Sequence, residues 1–229
     1  MPQLLITGAN RGIGLALTEL YLASGWDVVA CCRDPSQADD LLYLISDNPG
    51  LEVYQLDVTD YDGLADLAQE LSDRPIDLLI NNAGYYGPNA VLLGDIPVEE
   101  WRKVLEINTI APLKVTEAFL PQLRAAKGTV ACISSSMGSI EDNQSGGSYL
   151  YRSSKAALNA VTKSLALDLA ADGITAVVIH PGWVRTDMGG PHGLIDANVS
   201  AQGIQSCLAQ LTPQDSGKFF DYHGRHLAW

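Results

Sequence analysis

Gln3-Leu-Leu-Ile-Thr7 runs directly into Gly8-Ala-Asn-Arg-Gly12-Ile-Gly14, and this junction decides the fold. Five residues dominated by apolar side chains and closed by glycine read as a strand buried on both faces. After the glycines, Leu15, Leu17, Leu20 and Tyr21 follow a helical pattern that stops near Gly25. Asp27-Val-Val-Ala-Cys-Cys32 is then a second strand. Strand, glycine turn, helix and strand make a βαβ unit with its glycines at the first turn. Glycine removes the Cβ atoms that would keep backbone from a pyrophosphate, and the helix N-terminus adds free N–H donors. The unit predicts dinucleotide binding by Gly8, Asn10, Arg11, Gly12, Ile13 and Gly14.

The alternation continues outward. Leu51–Gln55, Pro75–Ile80, Thr129–Ile133 and Ile174–Ile179 read as strands, with a short last one at Lys218–Tyr222. Helical patterns cover Gly63–Leu71, Val98–Leu123 with a kink expected near Asn108 ahead of Pro112, Tyr149–Ala171 and Val199–Leu211. Tyr85–Pro97 and Ser134–Ser148 read as loops. No linker, repeat or low-complexity stretch divides the chain, which predicts one α/β domain over residues 1–229. Its seven-stranded, mostly parallel sheet is doubly wound, with helices on both faces. Ligands of such sheets sit beyond the carboxyl ends of the strands, so Asp57, Asn82–Gly84, Ser134–Ser136 and Pro181-Gly182 should share one rim with the glycine turn.

Bulk properties narrow the function. The chain has 229 residues, 47% hydrophobic and 18% charged, enough for a sizeable core. A net charge of -13 argues against nucleic acid or an anionic membrane as partner. No apolar run reaches membrane-spanning length, and Met1-Pro2 leads directly into the first strand, leaving no room for a leader. Cys31, Cys32, Cys132 and Cys207 show no metal-type spacing, so no metal site is expected. Cys31 and Cys32 should point to opposite faces of their strand. The pattern suits a reducing, cytoplasmic setting.

Tyr151-Arg-Ser-Ser-Lys155 carries the chemistry. Residues four apart share a helix face, and an ammonium beside a phenol lowers its pKa toward the range a general acid or base needs. Tyr149 is a rival phenol but has Ser153, not lysine, four residues later. Asn108 by itself reads as an ordinary helix-kink asparagine. At the end of the second strand no carboxylate appears before Asp34, where one would bind adenosine ribose and repel a 2′-phosphate. Arg33 stands there instead, with Arg11 close by in the glycine turn. Two arginines at one spot on so acidic a chain favour NADP(H) over NAD(H).

These motifs in this order resemble the short-chain dehydrogenase/reductase family over essentially the whole chain. They are Thr7–Gly14, Asn81-Asn-Ala-Gly84, Asn108, Ser135-Ser-Met-Gly138, Tyr151–Lys155 and Pro181-Gly-Trp-Val-Arg-Thr186. Ser136–Ile140, Ser145–Gly147 and Gly217–Asp221 resemble the branch of C-factor-like proteins and sniffer carbonyl reductases. The resemblance implies a Rossmann fold and reversible hydride transfer between NADP(H) and a small carbonyl or alcohol substrate. It implies Tyr151 as proton donor, Lys155 on both the phenol and the nicotinamide ribose, and Ser135 as donor to the reacting oxygen. Ser135 is preferred to Ser134 and Ser136 because its spacing to Gly138 matches the family. Asn108 would hold a water that links Lys155 to solvent. Asp57 and Val58 would flank the adenine, with Asn82, Ala83 and Gly84 along the cofactor. Pro181, Gly182, Val184 and Thr186 would lie at the nicotinamide end. The C-factor likeness also allows a signalling NADP-binding protein in which catalysis is secondary. Family members pair their two long helices, which leaves a homodimer and a homotetramer both open. The glycine-rich lid Asp187–Asp196 is short, which predicts a permissive pocket lined by Tyr85, Tyr86, Trp183 and Met188.

Overall fold

The structure, a computed structural model, describes residues 1–89 and 91–229. Strands β1 (Gln3–Thr7), β2 (Asp27–Cys32), β3 (Leu51–Gln55), β4 (Leu78–Asn81), β5 (Thr129–Ile133), β6 (Thr175–His180) and β7 (Phe219–Asp221) form one sheet in the order β3-β2-β1-β4-β5-β6-β7. Every neighbouring pair is parallel. The order reverses between β1 and β4, where a crevice opens beyond the carboxyl ends of the strands.

Helices cover both faces because β1 and its neighbours are apolar on both. Leu5, Val29, Leu79, Val130 and Ala176 pack on one face against helices α3 (Tyr61–Glu70), α5 (Ala111–Ala118) and α7 (Tyr149–Asp168). Leu4, Ile6, Val28, Ile80, Val177 and Ile179 pack on the other against α1 (Gly12–Ala23), α2 (Asp39–Ile45) and α8 (Ala197–Ala209). Cys31 and Cys32 fall into opposite clusters, as strand alternation requires.

Three elements differ from the sequence reading. Helix α2 lies in a stretch that the pattern left unassigned; its signal is Asp39 and Asp40 in the first turn ahead of buried Leu41. Strand β4 starts three residues later than expected, because the Ile76 N–H donates to the Gln122 carbonyl at 3.1 Å instead of to the sheet. The long stretch from Val98 is four pieces: α4 (Val98–Leu105), a π-helical turn (Glu106–Ile110), α5, and α6 (Leu120–Ala126). The bend expected near Asn108 is thus a π turn, a feature that inserts one residue per turn and re-aims side chains. No helix among the described residues is long and apolar enough to cross a membrane.

Candidate active site

The first turn is built by close approach. A Cβ on Gly14 would stand 2.2 Å from the Gly8 carbonyl oxygen and 2.6 Å from Asn82 Nδ2, so only glycine fits. Asn82 and Thr7 tie that turn to the end of β4. Asn82 Nδ2 donates to the Thr7 and Gly8 carbonyls at 3.0 and 2.9 Å, while Thr7 Oγ1 accepts from the Asn82 and Ala83 amides at 3.1 Å each. The Asn-Asn-Ala-Gly string is therefore a backbone clamp whose side-chain donors are already used.

Beyond it a cleft of about 720 Å³ opens, within the range of small-molecule sites. Gly8, Asn10, Arg11, Gly12, Ile13 and Gly14 line one wall; Arg33, Asp57 and Val58 line its outer end. Asn82, Ala83, Gly84, Tyr151, Lys155, Pro181 and Thr186 also face it. Six expected residues do not form its surface: Tyr86, Asn108, Ser135, Gly182, Trp183 and Val184. Val184 is buried and bridges to Ile195 under the lid, and Asn108 is fully buried. Lys103, Glu106, Ile107 and Asp187 line the cleft unforeseen. Glu106 and Ile107 stand in the π turn, whose inserted residue helical periodicity cannot register, and Lys103 stands before it on α4.

The outer end is electrostatic and wet. Arg11 and Arg33 are both exposed. Arg11 Nη1 meets Asp187 Oδ2 at 2.7 Å, joining the glycine turn to the lid, with the two side chains 66% and 75% exposed. Burial raises the Asp57 pKa, but hydrogen bonds from the Thr59 backbone and hydroxyl and the nearby Arg33 charge bring it below its ordinary value. Each arginine thus has an acidic neighbour at the rim.

The inner end is dry. Tyr151 and Lys155 are buried on α7, 8% and 4% exposed. Gly138 lets the loop after β5 lie on this helix, since a Cβ there would be 2.9 Å from the Lys155 backbone. The Ser134 hydroxyl is taken by Asn159 Oδ1 at 2.7 Å. Ser135 Oγ accepts from the Met137 amide at 3.1 Å, which leaves its own O–H to donate toward Tyr151. The two serines are thereby told apart by geometry.

Lys155 Nζ donates to the Ile133 carbonyl at 2.7 Å and lies 5.7 Å from the Tyr151 ring centre. Its burial lowers its pKa to about 8. The Tyr151 phenol shifts upward, the opposite of the sequence expectation. Burial, the largest cause, pushes the Tyr151 pKa well above its ordinary value; Ser135 pulls it down and the Tyr86 phenol adds to the rise. At neutral pH this phenol carries its proton.

Asn108 sits in the π turn and brackets the loop after β4. Its Oδ1 accepts from the Tyr85 amide and its Nδ2 donates to the Tyr85 carbonyl, both at 2.8 Å, with Ser154 Oγ at 3.0 Å from the same Nδ2. Its side-chain polar atoms are thus taken by Tyr85 and Ser154. Tyr85 turns its hydroxyl to Glu100 at 2.9 Å. Tyr86, expected on the pocket wall, packs its ring on Tyr151 instead, centroids 4.6 Å apart and planes at 32°. The Tyr86 and Ser148 hydroxyls share a hydrogen bond at 3.0 Å. Ser148 is the N-cap of α7 but makes no side-chain cap, and its φ of 46° and ψ of 40° are left-handed. That conformation costs a non-glycine residue roughly 1–2 kcal/mol. Trp183 and Met188 stand exposed at the lid, where Trp183 Nε1 donates to the Gly189 carbonyl at 2.8 Å.

Comparison with known proteins agrees with this arrangement. A family model described as short chain dehydrogenase matches residues 3–193. The C-signal protein of Myxococcus xanthus is 46% identical over 163 residues, covering 71% of this chain and 98% of that protein. The carbonyl reductase Sniffer of D. melanogaster superposes with a TM-score of 0.96 at 34% identity, covering the whole of both chains. The NADPH-bound carbonyl reductase from chicken fatty liver gives 0.93 at 37% identity, covering 100% of this chain and 99% of that one. With the parallel sheet, the glycine turn and the Ser135, Tyr151 and Lys155 cluster in place, this chain belongs to the short-chain dehydrogenase family of oxidoreductases.

Proposed function

We propose that this protein reduces aldehyde and ketone carbonyls to alcohols with NADPH, Tyr151 giving the proton. The observation that carries the reading is one cleft with two unlike ends. A proton-bearing phenol, hydrogen-bonded by the Ser135 hydroxyl behind it, and a buried lysine face the inner end, and two arginines stand at the outer end. The glycine wall fits a dinucleotide, because only bare backbone reaches the cleft there. Gly8, Asn10, Arg11, Gly12, Ile13 and Gly14 would hold the pyrophosphate, with Arg11 and Arg33 on the 2′-phosphate. Asp57 and Val58 would meet the adenine, and Pro181 and Thr186 the nicotinamide end, with Gly182 and Val184 supporting them from behind. NADPH, when bound, supplies the hydride that adds to the carbonyl carbon.

This chain's own groups handle the oxygen. As the carbon gains the hydride, the π electrons move onto oxygen and make an alkoxide. Ser135 donates a hydrogen bond to that charge, and the Tyr151 O–H bond breaks to give the proton that completes the alcohol. Lys155, poised near pH 8, steadies the phenolate left behind. Asn82 holds the glycine turn, and Asn108 holds Tyr85 and the Ser154 side chain beside Lys155. The NADPH-bound chicken reductase and the Sniffer reductase support the same direction of chemistry. Trp183 and Met188, exposed beside a short lid, support a permissive pocket.

The test is a panel of aldehydes and ketones with each cofactor. Modest, similar turnover across the panel with a strong preference for NADPH is expected. Equal or reversed preference, or no turnover at all, contradicts the reading. The likeness to the C-signal protein favours one second reading, a signalling role in which NADP(H) binding matters more than turnover. An unchanged biological phenotype in Tyr151→Phe would favour that role.

A further inference from the structure

The loop after β4 reaches the reaction centre through one side chain that the dinucleotide and carbonyl chemistry leaves unused. Tyr86 stacks on the Tyr151 ring with centroids 4.6 Å apart. Its hydroxyl shares a hydrogen bond with Ser148 Oγ at 3.0 Å, and Ser148 is the residue from which α7 starts. The backbone just before Tyr86 is fixed too, because both polar atoms of the Asn108 side chain hold Tyr85. On the other side, Gly146, Gly147 and Ser148 are all left-handed, with φ of 64°, 65° and 46°. A serine in that conformation cannot cap its own helix, and its hydroxyl goes to Tyr86 instead.

We propose that Tyr86 is a positioning residue for the reduction: its ring braces the Tyr151 phenol, and its hydroxyl locks the start of α7 so that the phenol keeps one orientation toward the substrate oxygen. This rests on Tyr151 being the proton donor. Two tyrosine rings in tilted contact restrict each other's rotation, and the brace arrives from a loop held by Asn108 of the π turn. A proton donor held from two elements loses little orientation when substrate enters, and misplacement of a reacting group by about 1 Å costs as much as a hundredfold in rate. The same ring covers the phenol, and burial is the largest cause of its raised pKa.

Tyr86→Leu removes both ring and hydroxyl, whereas Tyr86→Phe keeps the ring. Two readouts are needed: kcat against KM for a carbonyl with NADPH, and titration of Tyr151 by NMR of ring-labelled tyrosine, assigned by its absence in Tyr151→Phe. Tyr86→Leu is expected to lower kcat about tenfold with the NADPH KM unchanged, and to move the Tyr151 titration to lower pH. Tyr86→Phe, which keeps the ring and removes only the phenol charge, should move that titration less than Tyr86→Leu and lower kcat only about threefold. Wild-type kcat in Tyr86→Leu overturns the proposal, and so does a fall in kcat with the titration unmoved, which a general loss of fold quality would also produce. Should Tyr86→Leu fail to fold, Ser148→Ala, which frees the Tyr86 hydroxyl, is expected to lower kcat about threefold, and an unchanged kcat there overturns it. The titration does not depend on turnover. If the wild type reduces no carbonyl, the reading of function fails while the NMR arm still decides the role of Tyr86.

Discussion

The two ends of the cleft are built from opposite materials. The outer end is backbone and exposed charge: glycines with no room for a Cβ, a clamp of asparagine and threonine, and two solvated arginines with acidic neighbours. The inner end is buried side chains whose ionisation is displaced from ordinary values, the phenol upward and the lysine downward. Shape should therefore govern the outer end, with charge tuning it weakly because water screens exposed pairs. Protonation should govern the inner end, where low dielectric magnifies each charge.

The largest expected effect tests shape. In Gly14→Ala the new methyl meets the Gly8 carbonyl oxygen at 2.2 Å, so the turn must move. A loss of about 4 kcal/mol of stability, with NADPH binding abolished, is expected in denaturant melts and cofactor titration. A variant with wild-type binding would show that the turn gives way easily.

Lys155 comes next and tests protonation. Its folded pKa of about 8 lies below its ordinary 10.5, so above pH 8 the unfolded chain binds more protons than the folded one. Its buried ammonium costs stability below pH 8, and that cost fades as pH rises from 8 toward 10. At 1.36 kcal/mol per pKa unit the change is about 3 kcal/mol. The buried cysteines, all with raised pKa values, pull stability the other way in this range. The quantity to measure is therefore the stability difference between Lys155→Met and the wild type. The variant's advantage should be largest at pH 8 and nearly gone by pH 10; a constant difference would place the ammonium in water.

Arg33→Asp sharpens the outer end. Replacing the guanidinium by a carboxylate should lower kcat/KM for NADPH about thirtyfold, about 2 kcal/mol, and spare NADH. No loss would remove Arg33 from cofactor choice. The smallest effect belongs to the Arg11–Asp187 pair, which is exposed and worth at most about 1 kcal/mol. Asp187→Asn should free Arg11, lower the NADPH KM about twofold at low salt, and leave stability unchanged.

The same contrast separates what the sequence made legible from what it did not. The sheet, its doubly wound helices and the glycine wall were readable because hydrophobic period and glycine spacing are local signals. Tyr151 and Lys155 were readable as a pair, but the direction of the phenol's shift was not. Helical spacing states that two groups share a face and says nothing of what buries them, and here part of the burial comes from Tyr86 on a distant loop. The π turn escaped for the same reason: its extra residue aims Asn108 at Tyr85, a tertiary contact without local pattern. Ser135 was picked over Ser134 by family spacing, and only the structure separates them by partner, Asn159 for Ser134 and Tyr151 for Ser135.

The central claim is that a buried, proton-bearing Tyr151 completes a reduction whose cofactor is held elsewhere in the cleft. Tyr151→Phe removes one oxygen and leaves the outer end untouched. NADPH affinity should match the wild type, while carbonyl-dependent NADPH oxidation falls about a thousandfold or more. Oxidation at the wild-type rate with affinity retained would contradict the account.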